Sequence, residues 1–294
     1  MGQKTNSNLL RLNIEKSNWK SKYYAKTSEE STLYIFKDLD IKNYINRVFN
    51  IYGVIVKNHK LYYSHSLLKL FISFFLTKKY FKVCKKVKRV CSKEFNFSEH
   101  LLESLSLFLK KKLSVFIIFQ TLNKNYSVRI KNDKLQLLKQ AFIKLRKFAK
   151  TDFFIETINI LIITLKKTDS SKLLSELLAF QLKVLKKQTF FLITIKQILI
   201  TFLKAKIFST KGIKIVIKGR LNGAPRARKT TILLGNISAQ TFKSNINYNT
   251  NTSFTRNGTF GIKVWIQEVI KFIYIQICFY NPSDLNLKKF KKAN

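Results

Sequence analysis

The sequence predicts an α+β protein made of two units, one rich in helix and one rich in sheet. Three observations carry that prediction. Gly53 and Gly212 are separated by 158 residues that contain no glycine. Six of the eight glycines then fall between Gly212 and Gly261. Within that glycine-dense part, Asn222-Gly223 and Asn257-Gly258 are dipeptides favoured where a tight turn needs φ > 0. A glycine-free stretch reads as helices and buried strands, a glycine-dense one as strands joined by turns.

Taken in order, Asp38–Phe49 has apolar residues at helical spacing (Ile41, Tyr44, Ile45, Val48) after an acidic start, which predicts a helix. Gly53–Lys57 reads as a short apolar strand. Leu67–Leu113 reads mostly as amphipathic helix, clearest over Glu99–Leu113, where Leu101, Leu102, Leu105 and Leu109 share a face. Ser114–Thr121 and Tyr126–Ile130 read as strands. Asp133–Ala149 reads as a helix with an acidic N-terminus, Phe153–Thr164 as a buried strand, and Ser171–Ala205 as one or two helices. Gly212–Lys218 alternates like a strand, and Ala239–Thr250 and Gly261–Glu268 complete a small sheet. Phe272–Tyr280 suits either a strand or a helix, and a basic tail begins at Lys288.

Charge narrows the function. The chain of 294 residues carries 56 Lys+Arg against 15 Asp+Glu, a formal net charge of +41. Self-repulsion of that size opposes compaction unless a polyanion neutralises it, and nucleic acid is the leading candidate. The charge is uneven. From Leu177 to Gln267 there are sixteen Lys or Arg and no acid, and from Val54 to Lys93 eleven and none. Two such tracts suggest two RNA-facing surfaces.

Other chemistries find little support. Cys84 and Cys91 are seven apart, Cys278 stands alone, and His59, His65 and His100 do not complete a zinc-ligand spacing. No carboxylates cluster as if to hold Mg²⁺; Asp38 and Asp40 suit a helix start. No GxxxxGK[ST] phosphate loop occurs. No metal or other cofactor is implied. The apolar runs Leu67–Leu76 and Phe190–Leu203 are too short, or broken by Lys69 and Lys196, to cross a bilayer. Met1 to Asn8 has neither a signal-peptide core nor an Arg-rich presequence. Abundant Lys, Ile, Asn and Phe with scarce Gly and Pro point to an A/T-rich organellar genome, whose product needs no import signal.

Short motifs add specificity. Lys211 to Arg228 reads KGIKIVIKGRLNGAPRAR, Asn247 to Thr250 reads NYNT and Gly261 to Ile266 reads GIKVWI. These resemble the KGIK, GRL-x-GA-x-x-AR, DYNT and GVKVWI segments of the ribosomal protein S3 family. Met1-Gly-Gln-Lys4, Asn8, Arg11-Leu12, Trp19 and Tyr24-Ala25 match that family's N-terminus in order and spacing. The clear correspondence covers roughly a quarter of the chain, at its two ends. It implies a structural, non-enzymatic protein of the small ribosomal subunit, of the mitochondrially encoded form. Such a protein binds rRNA in the subunit head beside S10- and S14-type neighbours and lines the mRNA entrance. Plastid origin is less favoured, because Ser7–Asn13 departs from the PxGxRLG that plastid members carry after MGQK.

The resemblance also implies an organisation. Residues 1–35 would be an rRNA-binding arm and 36–165 a type II KH-like domain with a helical insertion at about 58–112. Residues 166–270 would be the C-terminal α+β domain with a small, mostly antiparallel sheet, and 271–294 a basic extension. KH domains clamp nucleotides with a GxxG loop; the corresponding place, Ile130–Asp133, has no glycine, so the fold is expected as scaffold. Gly258-Thr-Phe-Gly261 matches GxxG by letter only.

For rRNA, the candidate residues are Gln3, Lys4, Asn8 and Arg11 in the arm, with Lys211, Lys214, Lys218, Arg220, Arg226, Arg228 and Lys229 in the C-terminal domain. Arg226 and Arg228 are two apart on an extended stretch and share a face, a fork suited to phosphate. Trp265 and Ile266 are expected in the core of the sheet. At the mRNA entrance, the family's paired arginines would fall on Phe191 and Leu192, leaving Lys186, Lys187, Lys196 and Lys204 to supply charge. The alternatives are a maturase-like enzyme acting on nucleic acid and a membrane-surface protein using basic helices; the terminal motifs favour the ribosome.

Overall fold

The structure is a computed structural model that describes residues 5–11, 21–64, 66–83, 97–110, 113–123, 153–166, 170–204, 210–242 and 244–268, with a few positions between 143 and 151. It contains two four-stranded sheets among these residues, each with helices against it. The first has the order β1 (Ser21–Lys22), β2 (Val54–Tyr63), β3 (Leu67–Leu76) and β4 (Ser114–Thr121). Helix α1 (Ser28–Tyr52) starts at Thr27, whose hydroxyl accepts from the Glu30 amide at 3.3 Å. It stops at Gly53, whose φ of 72° lets the chain turn directly into β2. β2 and β3 form an antiparallel hairpin, while β3 and β4 run parallel. Parallel neighbours need a crossover, and α2 (Phe97–Phe108) lies within it. Ile41, Ile45 and Phe49 of α1 and Leu101 and Leu105 of α2 bury against Val54, Val56, Leu68, Leu70 and Ile72 of the sheet.

The second sheet has the order β6 (Arg228–Gly235), β5 (Thr210–Gly219), β8 (Gly258–Glu268) and β7 (Ile246–Thr255), antiparallel throughout. Alternation puts Ile213, Ile215 and Ile217 of β5 and Ile262, Val264 and Ile266 of β8 on one face. That face meets α3 (Phe154–Lys166), α4 (Ser171–Val184) and α5 (Gln188–Lys204) in one apolar core. The join between α4 and edge strand β7 is polar instead. Ser171 Oγ bonds Asn247 Oδ1 at 2.7 Å, Asn249 Nδ2 donates to Ser175 Oγ at 2.6 Å, and Ser253 Oγ donates to the Ala179 carbonyl at 2.7 Å. Serines one turn apart on a helix let it lie close to a strand lined with asparagines.

The α+β class agrees with the sequence, and so do α1, β4, the α4–α5 pair, β5 and β8; of the strand expected at Ala239–Thr250 only the part from Ile246 is strand, and β6 is an addition the sequence did not suggest. Two elements differ in type. Leu67–Leu76, expected as the start of a helical stretch, is the strand β3 in the middle of the first sheet. The stretch 58–112 is therefore a hairpin strand followed by a crossover, and among its described residues only 78–83 and α2 are helical. Phe153–Thr164, expected as a strand of the KH-like unit, is helix α3, and it packs in the second core. Both segments are nearly continuous apolar runs, which periodicity alone cannot assign. Thr157 and Thr164 fit the buried helix because their hydroxyls donate to carbonyls three residues back, at 2.8 Å each. The expected strand at Tyr126–Ile130, most of the helix at Asp133–Ala149, the Ile130–Asp133 loop and everything after Glu268 lie outside the described residues.

Candidate nucleic-acid interface

The arginine-rich connection between β5 and β6 is a built structure. Gly219 ends β5 where an added Cβ would meet the Phe260 ring at 2.2 Å, so only glycine lets the chain pass. Asn222 and Gly223 have φ of 54° and 77°, the left-handed pair that reverses the chain. The Arg220 Nε donates to the Ala224 carbonyl at 2.7 Å, which fastens its guanidinium across the turn. Arg220, Arg226 and Arg228 are exposed.

This loop is clipped to α5. Asn222 Oδ1 accepts from the backbone amides of Gln188 (2.8 Å) and Thr189 (3.4 Å). Gln188 Oε1 accepts from the Asn222 amide at 2.9 Å, and Asn222 Nδ2 donates to Thr189 Oγ1 at 2.8 Å. A side chain from 34 residues away thus caps the helix, satisfying amides that would otherwise lack partners. Lys186 and Lys187, both exposed, immediately precede that cap. Residues assigned to two separate sites by sequence, the rRNA arginines and the first entrance lysines, are brought together.

Along α5, Lys196 and Lys204 are exposed and eight residues apart, so they share a side. Phe191 and Leu192, the positions matched to the family's paired arginines, are in the core. The outward neighbours are Phe190 and Ile193, so this stretch of α5 shows an apolar surface between its lysines.

The face of the second sheet turned away from the helices forms another basic surface. Lys214 and Lys218 of β5, Lys229 of β6 and Lys263 of β8 all lie on it, with Lys218 directly opposite Lys229. Trp265 is there too, half-buried, on the side opposite Ile266. Of the pair expected in the core, only Ile266 is there. The Trp265 ring sits 5.0 Å from that of Tyr248, and Lys214 Nζ lies 5.5 Å from its centroid. Burial pushes the Tyr248 phenol up. Lys263, Tyr248 and Trp265 were missed as a site, although the parity of GIKVWI places Lys263 and Trp265 on one side. Lys211 is exposed at the bulge that opens β5.

The N-terminal candidates divide differently. Gln3, Lys4 and Trp19 lie outside the described residues. Asn8 and Arg11 have intramolecular roles that the sequence did not suggest. Asn8 pairs with the backbone of edge strand β7, its Nδ2 donating to the Tyr248 carbonyl at 2.8 Å and its Oδ1 accepting from the Tyr248 amide at 2.9 Å. Arg11 is buried, and its guanidinium donates to the carbonyls of Ser7, Ala239, Thr241 and Ser244 at 2.9 to 3.0 Å. With their donors spent on the protein, both side chains anchor residues 5–11 to the 236–245 loop and β7. Gly258-Thr-Phe-Gly261 likewise has a structural use, since Phe260 packs over Gly219.

Residues 183–266, which run from the end of α4 through α5 and all but the last two residues of the second sheet, match the family described as ribosomal protein S3, C-terminal domain. The C-terminal unit belongs to the ribosomal protein S3 family. Relatives extend the correspondence. The small ribosomal subunit protein uS3 of Phytoplasma mali is 26% identical over 90% of this chain and 84% of its own length. The uS3c protein of Guillardia theta is 36% identical over 47% of the chain and 55% of its own length. The uS3 protein of Kosmotoga olearia is 50% identical over 19% of the chain and 26% of its own length. Except for the first, these alignments span about half or less of the relative. S3 proteins are structural rather than enzymatic. Among the described residues no His, Cys, Asp and Glu gather as a metal site, and no helix is long and apolar enough to cross a membrane.

Proposed function

We propose that this S3-family chain is a structural constituent of the small ribosomal subunit and binds its rRNA chiefly through the C-terminal unit. The observation that carries the reading is the clip between Asn222 and the start of α5. It joins Arg220, Arg226 and Arg228 to Lys186 and Lys187 in a surface drawn from a tract, Leu177 to Gln267, that contains no acid. Guanidinium groups on a fixed turn suit bidentate phosphate contacts, and the lysines add counterion release. Lys211, Lys214, Lys218 and Lys229 extend the same field across the sheet.

The finer reading is a mitochondrial ribosome, supported by the A/T-biased composition; the relative named uS3c supports an organelle without choosing which. In it, Lys186, Lys187, Lys196 and Lys204 line the mRNA entrance as an electropositive wall. Phe190 and Ile193 stand between them, so no fixed guanidinium pair faces the strand, and strand-separating activity at this wall is weak. The first sheet with α1 and α2 serves as a KH-like scaffold, and proteins of the S10 and S14 types are its neighbours in the head. Co-sedimentation of the tagged chain with organellar small subunits, before and after a high-salt wash, tests this. Retention on the small subunit through the wash supports it. Loss into the soluble or membrane fraction at low salt sinks it.

A further inference from the structure

The open face of the second sheet is ordered in rows. Cross-strand register sets Tyr248, Trp265, Lys214 and Leu233 side by side, then Thr250, Lys263, Val216 and Thr231, then Thr252, Gly261, Lys218 and Lys229. Successive rows are about 7 Å apart, two residues along a strand. One end is closed by the 236–245 loop, where Gln267 exchanges hydrogen bonds of 2.8 Å with Ser238. The other end runs to Gly219 and Arg220, the start of the arginine loop. The three rows hold four lysines, two aromatic rings and no carboxylate.

We propose that this face is a second RNA surface that takes unpaired nucleotides, with bases against the Tyr248–Trp265 rings and phosphates on Lys214, Lys263, Lys218 and Lys229. The proposal rests on reading the chain as an RNA binder but concerns a different contact from the arginine loop. Charge commits the occupant: a one-sign face with no acid suits a polyanion. The rings commit its form. Bases in a duplex are stacked on one another and cannot reach an aromatic side chain, whereas single strands offer every base face. Trp265 sits on the inner strand β8 and Tyr248 beside it on the edge strand β7, with 5.0 Å between ring centroids, and Lys214 already lies over the Trp265 ring. Val216, in the central row, is buried beneath its neighbours, so the stems of the flanking side chains lie along the sheet.

The test uses the full-length chain with two probes, a short oligouridylate and a blunt RNA duplex of equal charge. Trp265→Leu and Tyr248→Leu are each expected to weaken oligouridylate binding about tenfold and to leave the duplex unchanged. Lys263→Glu, a substitution at an exposed position that cannot disturb the core, is expected to weaken oligouridylate binding as well. Replacing Arg220, Arg226 and Arg228 by Ala should weaken both probes, so failure of the arginine reading is seen separately. Equal losses on both probes from Trp265→Leu would overturn the proposal. So would an unchanged oligouridylate affinity in Lys263→Glu, which would leave the face to a protein neighbour.

Discussion

Around the first sheet, α1 and α2 carry six acids against three Lys or Arg. From Leu177 to Gln267, which spans α5 and the second sheet except its last residue, the buried Glu268, there are sixteen Lys or Arg and no acid. Both sheets use helices to cover one face, so the contrast is not one of architecture. The helices of the first unit balance their charge locally, as where Lys42 pairs with Asp38 one turn away on α1, although strands β2 and β3 hold Lys57, Lys60 and Lys69 and no acid. It also leaves Leu33, Ile35, Phe36 and Leu39 of α1 exposed, an apolar stripe that suits protein contact. In the second unit Lys172 pairs with Glu176 on α4, and the lysines and arginines from Leu177 onward have no acid in their own tract. On the proposed reading, the comparison puts the polyanion against the second unit and protein neighbours against the helices of the first.

The sharpest way to break that comparison is at the arginine loop. Replacing Arg220, Arg226 and Arg228 together by Ala should lower the log–log salt slope of RNA binding by roughly 2 to 3, since each phosphate contact contributes about 0.7 to 0.9. Neutralising Lys42, Lys37 and Arg47 of α1 should leave the slope nearly unchanged. Equal effects from the two triples, measured by salt titration, would erase the distinction. Next is Gly219→Ala, whose new methyl would collide with Phe260 in a left-handed backbone position. A loss of about 2 to 4 kcal/mol on chemical unfolding is expected, with partial recovery in the double variant carrying Phe260→Leu.

Asn222→Ala removes the cap of α5 and strains a residue with φ of 54°, so a loss of about 1 to 3 kcal/mol is expected. Asn222→Gly keeps the backbone without the cap and should fall between it and the natural residue in thermal unfolding. An equal loss in both would deny the cap its role. The smallest effect concerns the first unit. The buried Tyr63 hydroxyl is pushed far above the ordinary phenol value of 10.0, first by burial and then by Asp38 and Tyr34. A raised folded-state value means stability is intact below pH 10 and lost as pH rises beyond it. Tyr63→Phe should therefore flatten the alkaline end of the stability profile and change little near neutrality; an unchanged alkaline slope would contradict the assignment.

Legibility in the sequence followed local constraint. Asn222-Gly223 announced a turn because only such residues accept the left-handed backbone. The same Asn222 gave no hint that it caps a helix, because its partners Gln188 and Thr189 meet it only through the fold. LLKLFISFFL and FFIETINILIIT were misassigned for one physical reason: a segment covered on most sides shows no period. Parity in GIKVWI did place Lys263 beside Trp265 and opposite Ile262, Val264 and Ile266, but the weight of apolar residues pulled the tryptophan into the expected core. Arg11 illustrates the remaining gap. A basic residue in a basic arm reads as an RNA contact, and three of the four carbonyls that claim it come from residues more than two hundred positions away.

The most direct test of the RNA surface is ultraviolet cross-linking of intact organellar small subunits, followed by mass spectrometry of the nucleotide-bearing peptides from this chain. The account predicts cross-links concentrated in peptides containing Lys186–Lys187, Arg220–Lys229 and Lys263–Trp265, with α1 and α2 nearly bare. Cross-links confined to α1, α2 and the first sheet, with the second sheet and its arginine loop unmarked, would contradict it.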